Sequence, residues 1–207
     1  MVTNPVVHIV DDDEAVRQSL AFMLSSAGLA VRLYESAKAF LDGLDASQCG
    51  CLITDIRMPE ITGIELLHRL KERAPSLPAI VITGHGDVPL AVEAMKAGAI
   101  DFIEKPFDEQ AILNAVKIAL ERTEGEPDAD LVAITARLHS LSERERQVLE
   151  GLVAGHPNKV IAAALGISPR TVEVYRANVM AKMQARSLSE LIRMAILTHV
   201  PAGSGPR

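Results

Sequence analysis

Asp55 closes the apolar run Cys51-Leu52-Ile53-Thr54, and the acidic cluster Asp11-Asp12-Asp13 comes directly after another, Val6-Val7-His8-Ile9-Val10. Runs of this kind read as buried strands, and a parallel sheet brings the C-terminal ends of its strands to one rim. Carboxylates gathered there repel one another unless a divalent cation sits among them. A hard cation beside a carboxylate nucleophile is the equipment of phosphoryl transfer. Two further runs end in Thr83-Gly84 and in Lys105-Pro106, which add a hydroxyl and an ammonium to the same rim.

The elements that must position these groups are legible as an alternation. Strand-like segments near 6–10, 29–34, 50–55, 79–83 and 100–104 are separated by helical spacing. That spacing is carried by Val16, Leu20, Met23, Leu24 and Ala27, by Ile64, Leu67 and Leu70, and by Ile112, Val116, Ala119 and Leu120. The pattern predicts an α/β fold, a doubly wound five-stranded parallel sheet of flavodoxin-like type, over residues 1–122. Asp13 and Glu14 fit a helix start, where the dipole favours negative charge. Polar, Gly- and Pro-broken text from Thr123 to Asp130 predicts a linker over 123–136, partly helical. From Ser142 to Thr198 every segment is helical, predicting a small all-α four-helix domain over 137–200. Ser142 and Glu145 form a capping box, Asn158 can cap the next helix, Ser168-Pro169 opens a third, and Ser187 or Ser189 a fourth. Residues 201–207 read as a disordered tail.

Charge divides along the same line. Residues 1–126 carry 11 basic against 20 acidic side chains, net −9, and residues 127–207 carry 10 against 7, net +3, within a total of −6. A basic half beside an acidic one is a candidate for nucleic acid. No apolar stretch has the length of a membrane span, and Met1-Val2-Thr3-Asn4-Pro5 lacks the flank of a signal peptide, so a cytoplasmic protein is expected. Cys49 and Cys51 are too close for an easy disulfide and too few for zinc, and they read as small core residues. The six histidines have no metal-ligand spacing.

Asn158 to Leu165, a turn at Gly166, and a helix capped by Ser168 read as a helix-turn-helix. Val172, Tyr175, Val179 and Met183 should pack inward, leaving Arg170, Thr171, Val174, Asn178 and Lys182 outward or flanking, with Lys159 on the preceding helix for phosphate. Arginine, asparagine and a small apolar group suit guanine, adenine and thymine-methyl edges. Arg176 either binds phosphate or pairs internally with Glu145 or Glu150. Helix 88–97 is apolar almost all round, more than one sheet can bury, which predicts a dimerisation face containing Val92, Lys96 and Asp101.

Residues 5–122 resemble response-regulator receiver domains. The resemblance implies that Asp55 accepts a phosphoryl group from a sensor histidine kinase. It also implies that Asp12, Asp55 and the backbone carbonyl of Arg57 hold Mg²⁺, that Asp11 helps through water, and that Lys105 steadies the phosphoryl oxygens. Thr83 and Phe102 would then form the switch. Residues 137–198 are similar to the LuxR-type DNA-binding domain, with Tyr175 where that family commonly has His. Ile82-Thr83-Gly84-His85-Gly86-Asp87-Val88-Pro89 and Phe102-Ile103-Glu104-Lys105-Pro106-Phe107, joined to Ser168-Pro169-Arg170-Thr171-Val172-Glu173-Val174, resemble regulators of the FixJ type. That resemblance implies activation of nitrogen-fixation genes under low oxygen, a FixL-like haem-containing kinase as partner, a homodimer on promoter DNA, and RNA polymerase as a further partner. Regulators of aromatic degradation or nodulation share much of this text. A phosphatase of the haloacid-dehalogenase type is approached by Asp11-Asp12-Asp13-Glu14-Ala15, which lacks the closing Thr or Val, so no enzyme is expected. A regulator that binds DNA without ever being phosphorylated is the remaining competitor.

Overall fold

The structure is a computed structural model that describes residues 5–44, 49–84, 88–121, 131–198 and 200. The linker text at 123–130, the residues His85, Gly86 and Asp87, and the tail at 201–207 lie outside the described residues. By compactness the chain forms two units, residues 1–86 with 97–125, and residues 87–96 with 126–207.

The first unit carries strands β1 (Val6–Val10), β2 (Ala30–Tyr34), β3 (Gly50–Asp55), β4 (Ala79–Thr83) and β5 (Asp101–Glu104). All pair in parallel in the order β2-β1-β3-β4-β5, so β1, β3 and β4 are interior. The five expected strands are present, each within a residue of its expected bounds. Helices α1 (Glu14–Ser26), α2 (Ala37–Asp42), α3 (Gly63–Arg73) and α5 (Glu109–Glu121) alternate with them, and α4 (Val88–Ala97) lies between β4 and β5 in the chain.

Strand periodicity sorts the two faces. Val7 and Ile9 of β1 join Cys51, Ile53, Ile80 and Ile82 against Leu20 and Leu24 of α1 and Ile112 and Val116 of α5. Each fully buried aliphatic side chain there contributes about 2 kcal/mol. On the other face His8 is buried, its Nδ1 3.2 Å from the Tyr34 hydroxyl, with its ring against Tyr34 and Phe40. Cys51 fills the core as expected; Cys49 does not, because it precedes the strand and is exposed.

Local chemistry fixes the helix starts. Asp13 caps α1, accepting from the amides of Ala15 and Val16 at 2.8 and 3.4 Å, and Glu14 sits in the first turn. Thr62 caps α3. The next residue has to be glycine: a Cβ on Gly63 would lie 2.2 Å from the Asp55 backbone oxygen. Its absence lets α3 begin directly against the end of β3.

In the second unit α6 (Leu131–His139), α7 (Glu143–Val153), α8 (Asn158–Leu165), α9 (Pro169–Met183) and α10 (Leu188–Leu197) succeed one another. The Ser142–Glu145 capping box opens α7, Ser168 caps α9 with Pro169 behind it, and Ser187 caps α10. Gly166, at φ +65°, closes α8 in the left-handed conformation that the turn requires. Asn158 is corrected: it is the first helical residue, Pro157 occupies the cap position, and no side chain caps α8. Val148, Leu149, Leu152, Ile161, Val172, Val179, Met183, Leu191 and Ile192 form the core. No helix among the described residues is long and apolar enough to cross a membrane.

Candidate functional site

Asp11 follows β1, Asp55 ends β3, Thr83 ends β4 and Lys105 follows β5, so parallel pairing brings all four to one rim. The Lys105 ammonium donates to Asp11 Oδ2 and to Asp55 Oδ1, at 2.8 Å each. The second oxygens are occupied too: Asp11 Oδ1 accepts from the Asp13 amide at 2.9 Å, and Asp55 Oδ2 from the Arg57 amide at 2.6 Å. Both carboxylates are buried. Thr83 is fully buried beside them in the sheet. The Lys105–Pro106 peptide is cis.

Electrostatics are set by that burial. Loss of hydration pushes the Asp11 carboxyl above its ordinary range, and the bonds from Lys105 and the Asp13 amide only partly offset this. Burial pulls the Lys105 ammonium down, but its bonds to Asp11 and Asp55 more than offset it, leaving the group raised. The two carboxylates of the rim thus share one ammonium, that of Lys105.

Asp12, expected as a cation ligand, is exposed at the turn after β1. Among the described residues no three His, Cys, Asp or Glu side chains converge as a metal cluster. The donor set nevertheless fits a hard cation, because two buried carboxylates already converge on one positive charge, and the Arg57 backbone stands against Asp55.

Phe102 is half-buried on β5, and its amide donates to Asp101 Oδ1 at 2.8 Å. Of the residues expected on a dimer face, Asp101 is half-buried, Lys96 is exposed and Val92 is 3% exposed. Ala91, Val92, Ala94 and Met95 of the apolar helix α4 are buried.

On α9, Arg170, Val174 and Asn178 are exposed, with Val174 at 56%, and Thr171 is half-buried with its hydroxyl 2.8 Å from the Ser168 hydroxyl. Lys159 is exposed on α8. Val172, Val179 and Met183 are buried as expected, and Tyr175 is half-buried. Lys182, expected on the DNA face, is exposed there and also donates to Glu145 Oε2 at 2.7 Å. The same Glu145 oxygen accepts from the Ser142 amide at 2.7 Å, and the Lys182 bond holds its carboxyl below the ordinary range. Glu145 is thus engaged by Lys182, while Arg176 is half-buried. Sequence reasoning saw Glu145 as a cap and as one possible partner for Arg176; the structure gives it a different α9 partner, Lys182. The clue was a glutamate preceding an apolar stripe that the fold buries.

Residues 7–117 match the model of the response regulator receiver domain, and residues 139–195 that of the bacterial regulatory proteins of the luxR family. The transcriptional regulatory protein FixJ of Azorhizobium caulinodans is 59% identical over 94% of this chain and 93% of its own. The C4-dicarboxylate transport transcriptional regulatory protein DctR of Rhodobacter capsulatus is 46% identical over 91% of this chain and 98% of its own. The crystal structure of full-length FixJ from B. japonicum aligns at 52% identity with a TM-score of 0.55, covering 96% of this chain and 98% of that one. With the acidic rim and the helix-turn-helix in place, the chain belongs to the two-component response regulators that join a receiver domain to a LuxR-type DNA-binding domain, a family of transcriptional regulators and not of enzymes.

Proposed function

We propose that this chain is switched by phosphorylation of Asp55, and that the switch governs binding of residues 137–200 to promoter DNA. The observation that carries the reading is the Lys105 ammonium held between Asp11 and Asp55, on the rim where β4 delivers Thr83. An Asp55 oxygen attacks the phosphorus of a kinase phosphohistidine in line, and the breaking P–N bond leaves its electron pair on the imidazole. Asp12, Asp55 and the Arg57 carbonyl would hold Mg²⁺, with Asp11 assisting, and the ion would supply charge to offset repulsion between these carboxylates and the incoming phosphoryl group. Lys105 exchanges a carboxylate oxygen for a phosphoryl oxygen, and the Thr83 hydroxyl donates to another. Phe102 turns into the space that Thr83 leaves.

The energetics are sufficient. Moving an equilibrium from 1:99 to 99:1 requires about 5.5 kcal/mol of preference. Hydrogen bonds to charged groups contribute about 1.5–3 kcal/mol each, and completing the burial of one ring adds about 1 kcal/mol. We infer that residues 1–122 receive the signal, that 123–136 link the domains, and that the phosphorylated chain dimerises through a surface near Lys96 and Asp101. Arg170, Thr171, Val174 and Asn178 then read base edges, with Lys159 and Arg176 on phosphates. The similarity to FixJ supports nitrogen-fixation genes, low oxygen as the signal, a FixL-like kinase and RNA polymerase as partners, and the cytoplasm as the compartment. The similarity to DctR supports a second reading, the same mechanism serving another pathway.

Intact mass spectrometry after incubation with acetyl phosphate and Mg²⁺ tests the switch. One phosphoryl adduct on the wild type, absent from Asp55→Asn, is expected. An adduct that persists in Asp55→Asn would remove the assignment.

A further inference from the structure

We infer that Arg17 is a positioning residue for the cation site, an inference that rests on the phosphoacceptor reading above. Arg17 lies on the first turn of α1, and its Nη1 donates to the backbone carbonyl of Asp11 at 2.6 Å. That carbonyl belongs to the peptide joining Asp11 to Asp12, so the guanidinium grips the one backbone unit whose orientation aims both carboxylates. The two residues differ sharply in support. Asp11 is buried and bonded on both oxygens, by Lys105 and by the Asp13 amide. Asp12 is exposed, and no side-chain hydrogen bond is seen to fix it among the described residues. Its direction is set by the turn, and the turn is tied to α1 by the Asp13 cap and by Arg17.

Two physical effects of Arg17 have opposite signs, which makes the inference decidable. As a fixed positive charge near the rim, the guanidinium repels a dication, and its removal would tighten binding. As an outer-shell support, it holds the donors in place, and removing such supports typically weakens metal binding by about 10–100-fold. The short bond to a backbone carbonyl, in place of a bond to either carboxylate, points to the second effect: the charge is spent on the turn and leaves the carboxylate oxygens to others.

The test is a calorimetric titration of Mg²⁺ into the full chain as wild type, Arg17→Met, Arg17→Lys and Asp12→Asn, with thermal unfolding in EDTA alongside. Arg17→Met should raise the Mg²⁺ dissociation constant about tenfold while leaving the EDTA melting curve nearly in place, and Arg17→Lys, which can still donate to the carbonyl, should recover most of the affinity. In phosphorylation by acetyl phosphate, the half-saturating Mg²⁺ concentration should rise and the rate at saturating Mg²⁺ should not change. Unchanged or tighter binding by Arg17→Met overturns the inference and leaves the cation site standing. A wild type that takes up no Mg²⁺ overturns both.

Discussion

Replacing Lys105 by Met isolates the ammonium's role, because it keeps the bulk of the side chain and removes its charge. In the unmodified chain it leaves Asp11 and Asp55, both buried, facing each other with no cation between them. Removing one partner of a buried ion pair costs about 3–5 kcal/mol. The Lys105 side chain is 21% exposed, which softens the loss, so about 2–4 kcal/mol is expected at pH 7. With a urea slope of about 2 kcal/mol/M, the middle of the usual range, the first unfolding midpoint should fall by about 1–2 M. The pH dependence has a definite sign. Burial already raises the Asp11 carboxyl, and losing Lys105 raises it further. A carboxyl raised in the folded state binds more protons there than in the unfolded chain, so stability falls as pH rises through the interval between its unfolded and folded values. The deficit should therefore be smallest in acid, grow toward neutrality, and shrink when Mg²⁺ replaces EDTA. Urea unfolding followed by circular dichroism, at several pH values with and without Mg²⁺, measures all three. A deficit independent of both pH and Mg²⁺ would show that Lys105 acts by packing alone.

Five other substitutions probe separate parts of the chain. Gly63→Ala places a Cβ against the Asp55 backbone oxygen and should cost at least about 1–3 kcal/mol, whereas Gly84→Ala meets no atom within 4 Å and should stay within about 0.5 kcal/mol in the same urea assay. Glu145→Ala removes both the cap of α7 and the tie to α9, and about 1–2 kcal/mol is expected in thermal unfolding. Because the Lys182 bond lowers the Glu145 carboxyl, the stability it confers is present above the ordinary glutamate value and is lost as pH falls through the folded value. Fluorescence anisotropy with specific and random duplexes should show Arg170→Ala losing discrimination between them, and Lys159→Ala losing affinity for both with a shallower salt dependence.

The fold was legible because its information is local and periodic. Five β-branched runs alternating with helical stripes leave few topologies, and Asp55, Thr83 and Lys105 each adjoin the end of a strand. Chain-local rules also located the caps at Ser142, Ser168 and Ser187. They erred at Asn158, where one residue's displacement puts the amide inside the helix, and at Cys49, which the strand start leaves outside the core. Long-range partners were the harder part. Lys182 has the charge and the helical phase of a DNA contact, and only the approach of α7, placing Glu145 within 2.7 Å, shows that it also has a partner within the domain. Arg17 carried no motif at all; its partner is a backbone carbonyl, and backbone atoms leave no trace in composition or spacing.

The central claim is that converting one carboxylate to an acyl phosphate changes how the chain holds DNA. Anisotropy measures it directly, using a duplex selected from a random pool by the phosphorylated protein, before and after treatment with acetyl phosphate and Mg²⁺. Phosphorylation should tighten binding by about tenfold, within the usual range for coupled sites, and Asp55→Asn should not respond. Equal affinity of the treated and untreated wild type, with the adduct confirmed by mass, would contradict the account.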